Sequence, residues 1–183
     1  MKYRCFIALE APDPVRASLS ARLNELKRNP GVNWVKPENL HLTLLFLGDI
    51  DVMELSELEG AIASVCANCE AFELQMLGLE LFPAKAPRLI WADLRSQDDA
   101  IFQLHKCLLS AIRGLGYAPD AKPLKLHITL GRIKSALPVW LEQSIMQSRI
   151  ESGVHAYDRI SFYRSVLKPE APTYHLIKHY DLN

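Results

Sequence analysis

Apolar positions along this chain fall into short strand-like runs separated by longer stretches of helical spacing. Tyr3–Leu9 reads as a strand. Beyond it Val15, Leu19, Leu23 and Leu26 recur on one face of a helix, with Asp13 as the expected N-cap and Pro14 at the first helical position. A second helix over about Met53–Cys66 carries Leu55, Leu58, Ile62 and Val65. A third begins near Asp98 or Asp99 and aligns Ile101, Leu104, Leu108, Ile112 and Leu115; Val139–Gln147 is shorter and less regular. Phe72–Leu77, Leu79–Phe82, Arg88–Leu94, Ile160–Leu167 and Tyr174–Tyr180 read as strands, the last two joined at Pro169 as a hairpin.

The pattern repeats. Residues 36–44, KPENLHLTL, and 122–130, KPLKLHITL, agree in six of nine columns at an offset of 86. Tyr3–Leu9 and Arg88–Leu94 extend the repeat at an offset of 85, and the Pro-flanked segments 83–87 and 169–172 correspond. The fold class expected is α+β: an internal duplication, approximately 1–86 and 87–183, in one bilobal domain. Each half is expected to form one lobe, a small, mostly antiparallel sheet with helices on its outer face and a cleft between the two.

On a strand, residues two apart share a face. His41 and Thr43 therefore point one way, leaving Leu42, Leu44 and Phe46 for a core; His127 and Thr129 do the same over Ile128 and Leu130. Two imidazoles and two hydroxyls around one small anion are what phosphodiester hydrolysis needs. One group takes a proton from water, one gives a proton to the leaving oxygen, and donors stabilise the charge that builds on phosphorus oxygens. Histidine serves either role near neutral pH. Arg132 follows the second motif and offers a bidentate grip on phosphate. The scheme requires no metal and no cofactor. A single His-x-Thr is ordinary; its recurrence in both halves, while neighbouring surface positions differ, is what packing leaves unexplained.

The chain resembles the two-histidine phosphoesterases, specifically the RNA 2′,3′-cyclic phosphodiesterases, also called 2′-5′ RNA ligases. The likeness covers nearly all of it: RCFIALE, WVKPENLHLTLLFLGDI, LFPAKAPRLIWADL, PLKLHITLGRI and FYRSVLKPEAPTYHLIKHYDL. The resemblance implies that His41 and His127 are catalytic, His41 as acid and His127 as base, and that Thr43, Thr129 and Arg132 bind phosphate. It also implies opening of a 2′,3′-cyclic phosphate to a 2′-phosphate, and the reverse 2′-5′ ligation. Gly131 stands where the family often has alanine, an exchange of small for small expected to leave the site undisturbed.

Composition narrows the partners. Lys plus Arg equals Asp plus Glu, 21 against 21, which argues against a long duplex-binding surface and leaves room for a site gripping one or two phosphates. The expected partners are RNA 3′ ends or small cyclic-phosphate nucleotides, with no membrane and no obligate protein partner. A phosphodiesterase acting on small cyclic nucleotides or 2′-5′ oligonucleotides, and a non-catalytic nucleotide-binding module, are the alternatives. No apolar run reaches the ~18 residues of a membrane span, so a cytoplasmic location is expected, with Cys5, Cys66, Cys69 and Cys107 as free thiols. Cys66 and Cys69 form a C-x-x-C without a second ligand pair, which disfavours a zinc or redox role. Trp91, Trp34 and Tyr163 are candidate substrate-lining aromatics, with a core role the simpler reading of each tryptophan. His105, His155, His175 and His179 read as surface or locally bonded residues.

Overall fold

The computed structural model describes residues 1–120, 122–148, 153–168 and 172–183. The described strands are β1 (Lys2–Glu10), β2 (Val32–Trp34), β3 (His41–Asp51), β4 (Phe72–Phe82), β5 (Leu89–Ser96), β6 (His127–Ile133), β7 (Val154–Tyr157), β8 (Arg159–Val166) and β9 (Thr173–Asp181). The helices are α1 (Asp13–Leu26), α2 (Leu55–Cys66), α3 (Ala100–Gly114) and α4 (Val139–Met146). Each follows the apolar spacing that predicts it: α1 buries Val15, Leu19, Leu23 and Leu26, and α3 buries Ile101, Leu104, Leu108 and Ile112. Helix α1 starts one residue earlier than expected, so Asp13 lies in its first turn and Pro12 caps it. No helix among the described residues is long and apolar enough to cross a membrane.

The strands form two antiparallel sheets, in the orders β3-β1-β8-β9 and β2-β6-β5-β4-β7. The α+β class and the paired sheets are those expected. Their make-up is not. Each sheet takes strands from both halves of the sequence: β8 and β9 complete the sheet of β1 and β3, while β2 and β4 join that of β5 and β6. The reason is local. β4 runs into β5 through a short connection, and a tight antiparallel connection favours pairing with the next strand over returning to the first lobe. β8 then fills the place beside β1 that β4 left open. The strands expected at 160–167 and 174–180 do pair as a hairpin, although Pro169 in their connection lies outside the described residues. β2 and β7, three and four residues long, are too short for periodicity to reveal.

One apolar core joins the sheets and helices, with Leu9, Leu42, Ile128 and Leu130 wholly inaccessible. Two register shifts control which side chains leave it. Opposite β1, Thr43 pairs with Ala8 and Leu45 with Ile7, so Leu44 is an extra residue. Opposite β5, Thr129 pairs with Trp91 and Gly131 with Ile90, so Leu130 is extra. A bulge of this kind resets alternation. Leu44 and Leu45 are therefore both buried, and Phe46, expected in the core, is 53% exposed on the face of His41 and Thr43. Arg132 takes the same place in the second repeat; strict alternation would have turned it away from Thr129.

The β1 and β5 strands also align differently from the expected offset. Relative to the histidines, Glu10 matches Asp93, 83 residues on, because Glu10 pairs with His41 and Asp93 with His127. A slip of two residues keeps every side chain on its face, so the apolar pattern does not register it.

Gly131 is not interchangeable with alanine. A Cβ there would meet Val32 Cγ1 at 2.6 Å and the Trp34 ring at 3.0 Å. Val32 is buried and β-branched, with little rotameric freedom to give way. Gly131→Ala is therefore expected to lower stability by about 1–3 kcal/mol, the usual cost of overpacking. Chemical denaturation of the folded variant measures this; an unchanged midpoint would show that Val32 and Trp34 yield freely.

Candidate active site

β3 and β6 run against each other where the sheets meet, and both open on a histidine. Each imidazole is fixed in the same way. His41 Nδ1–H donates to the carbonyl of Asn39 at 2.7 Å, and His127 Nδ1–H donates to that of Lys125 at 2.9 Å. A ring that donates from Nδ1 leaves Nε2 as its working nitrogen. On His41 this atom accepts from the Thr43 hydroxyl at 3.1 Å. The turn Pro37–Asn39 places the Asn39 carbonyl, held by the rigid proline at its start.

The surroundings of the two rings differ. His41 sits among aromatics, with Phe6 at 5.1 Å between centroids, Tyr174 edge-on at 5.2 Å and Tyr163 at 6.5 Å. It borders a cavity of about 290 Å³ lined by Glu10, Arg16, Glu38, Asn39, Leu40, Tyr163 and Tyr174. His127 rests on the Trp91 ring at 4.3 Å, and that indole in turn stacks on Phe82 at 4.1 Å.

Burial of the charged form pushes His41 down to about 4; the Asn39 carbonyl opposes this, His127 adds to it, and Glu10 opposes it. His127 is also lowered, first by burial, with its backbone bond to Lys125 acting upward and the Lys125 ammonium downward. The charge of one imidazole is thus felt by the other, which places both in one electrostatic environment. Across the sheets, the positive charge of Arg132 acts on Tyr174, so the guanidinium of the second motif lies near the aromatics of the first.

The expected residues are distributed as follows. His41 is bonded to Thr43 and feels the charge of His127, Arg132 acts on Tyr174 beside His41, and Thr129 lies two residues along β6 from His127, paired with Trp91. Tyr163 lines the cavity beside His41 and donates its hydroxyl to Glu10. Trp91 is 6% exposed and lies under His127, with little free face. Trp34 donates to the carbonyl of Asn29 and packs on Gly131; among the described residues it makes no ring contact with either histidine. Pattern reading missed Phe6, Glu10, Phe46 and Tyr174. Strict alternation assigns Phe46 to the core, and the other three reach the site only through sheet register. His179, read as peripheral, is bonded to Ser161 within reach of Glu10. Cys66 and Cys69 lie at the end of α2, and no group of three or more metal-ligating side chains is assembled among the described residues.

Paired H-x-T strands meeting between two antiparallel sheets define a two-histidine phosphoesterase architecture. A sequence model described as "LigT like Phosphoesterase" matches residues 9–91. An RNA 2′,3′-cyclic phosphodiesterase of Thermotoga maritima is 32% identical over 95% of this chain and 92% of its own length. Another, from Archaeoglobus fulgidus, is 30% identical over 93% and 96%. Among solved structures, TT0787 of Thermus thermophilus superposes with a TM-score of 0.84 at 26% identity, covering 98% of this chain and 97% of that one. Escherichia coli LigT complexed with 3′-AMP gives 0.80 at 21% identity over 100% and 99%, a likeness of fold. The chain belongs to the LigT-like phosphoesterase family.

Titration of the free protein follows from this site. His41 is expected to titrate near pH 4 by NMR, well below an ordinary histidine at about 6.5. The unfolded chain then binds a proton at higher pH than the folded one. His41 thus supports folding fully above about pH 6.5, and the support drains away as pH falls toward 4. A His41→Gln variant should lose less stability over that window than the parent; equal losses would show that His41 is not held neutral.

Proposed function

We propose that this protein hydrolyses the 2′,3′-cyclic phosphate at RNA ends to a 2′-phosphate by metal-independent acid–base catalysis with His41 and His127. The observation that carries the reading is the matched anchoring of the two imidazoles. Each is tied through Nδ1 to its own backbone, and the two feel each other's charge beside Thr43 and Arg132. The curated relatives named as RNA 2′,3′-cyclic phosphodiesterases support the substrate.

In this scheme His127 Nε2 takes a proton from water, whose oxygen attacks phosphorus. The bond from phosphorus to the 3′ oxygen breaks, and His41 Nε2–H protonates that oxygen as it leaves. Thr43, Thr129 and Arg132 hold the non-bridging oxygens, whose charge rises in the transition state. His41 is neutral in the free protein, and an arriving phosphate anion favours its protonated form. Phe46, exposed on the same face, offers a nucleobase a stacking surface. With a 5′-hydroxyl in place of water, the same groups in the same roles would join that oxygen to phosphorus through a 2′-5′ linkage, the 3′ oxygen again leaving with the proton from His41. The net charge of zero suits a short RNA end or a small nucleotide, and reduced thiols suit the cytoplasm.

An oligonucleotide ending in a 2′,3′-cyclic phosphate tests the proposal directly. A 2′-phosphate product is expected, in chelator as in buffer. His41→Ala and His127→Ala should each cost about two to four orders of magnitude in turnover with the fold retained. A 3′-phosphate product, near-normal turnover in either variant, or activity restored only by added metal would each overturn the mechanism.

A further inference from the structure

Each sheet sets a carboxylate directly across from its histidine: Glu10 pairs with His41, and Asp93 with His127. The two are treated differently. Glu10 accepts hydrogen bonds from the hydroxyls of Tyr163 and Ser161, the latter at 2.8 Å, and stands 3.7 Å from both Arg16 Nη2 and His179 Nδ1. Ser161 is fully buried and also bonded to His179 at 2.9 Å, so the clamp is built into β8 and β9. Asp93 is disfavoured as an anion by burial first and then by the charge of Glu80.

We propose that Glu10 is a positioning residue for His41. Its carboxylate, clamped by Tyr163, Ser161 and Arg16 at the register position facing the imidazole, supplies the fixed negative charge that a protonated His41 needs. The inference rests on His41 acting as the acid in the proposed reaction.

The charged and titratable groups around His41 are Glu10 from β1, Arg16 from α1, Glu38 from the turn before β3, His127 from β6, Tyr163 from β8 and Tyr174 from β9. Of these Glu10 is the anion held in place by several donors. Its own ionisation is favoured: burial acts upward, but Tyr163, Ser161, His179 and Arg16 together bring it below the ordinary glutamate value. Against burial, an imidazolium at His41 has the Asn39 carbonyl and Glu10, and of these two only Glu10 carries a charge. The phosphate that arrives later supplies charge on one side; Glu10 supplies it beforehand on the other.

Glu10→Gln removes the charge while its amide oxygen still accepts from Tyr163 and Ser161. The His41 ring should then titrate lower by about half a pH unit or more in an NMR titration of the free protein. Turnover on the cyclic-phosphate oligonucleotide at neutral pH should fall about threefold or more with KM held, because the protonated fraction of His41 falls by that factor. The two rate profiles should converge at pH values below both histidine titrations. Glu10→Asp, which keeps the charge, should bring the His41 midpoint back toward the parent value, and it guards against a simple loss of packing. A His41 midpoint unmoved in a folded Glu10→Gln protein overturns the proposal. A midpoint that moves without any change in rate leaves Glu10 in its electrostatic place and overturns instead the assignment of His41 as the acid.

Discussion

The site depends on one interaction made twice: the hydrogen bond from each histidine Nδ1–H to a carbonyl two residues upstream. This bond fixes the tautomer, aims Nε2 away from the backbone and costs no separate side chain as an orienting partner. It works only if the strand begins at the histidine, so that the preceding segment can curl back and present its carbonyl. The strands do begin there, after Pro37–Asn39 in one repeat and after the Lys122–Leu126 connection in the other.

Around those anchors the structure resolves a conflict between burial and charge. Imidazoles near an apolar core become poor cations, and His41 among Phe6, Tyr163 and Tyr174 is the more affected. Water exclusion strengthens electrostatic contacts made there, yet it also penalises a protonated His41. The aromatic packing and the fixed anion at Glu10 pull in opposite directions. On the other side of the site burial lowers His127, and the Lys125 ammonium acts in the same direction. The two H-x-T repeats share one pattern but carry different local charges, an anion at Glu10 beside His41 and a cation at Lys125 beside His127.

The bulges at Leu44 and Leu130 decide which side chains reach the polar face beside the histidines. By placing one extra apolar residue in the core, each returns the chain to the polar face one position past the buried pair. One repeat uses that place for the Phe46 ring and the other for the Arg132 guanidinium. A duplicated backbone irregularity thus presents an aromatic ring in one repeat and a guanidinium in the other.

Much of this was legible in the linear order of residues. Helical periodicity placed α1, α2 and α3 because each buries one continuous stripe, a local property, whereas α4 buries only Leu141 and Ile145 and reads less regularly. The duplicated H-x-T placed His41, Thr43, His127 and Thr129 on polar faces because strand alternation is local too. The rest was decided by contacts between distant segments. The exchange of strands between halves, the place of Glu10 opposite His41 and the slip of the β1 and β5 alignment are facts of register, and a two-residue shift leaves an apolar pattern unchanged. Phe46 shows the same limit at a single residue: its neighbours are all apolar, and only the pairing of Leu45 with Ile7 turned it out of the core. Gly131 shows it in packing, since the space a methyl would need is taken by Val32 and Trp34 from a strand some hundred residues away. Sequence periodicity determined which residues could share a face; tertiary pairing alone decided which faces met, because register is set by the partner strand and not by the strand itself.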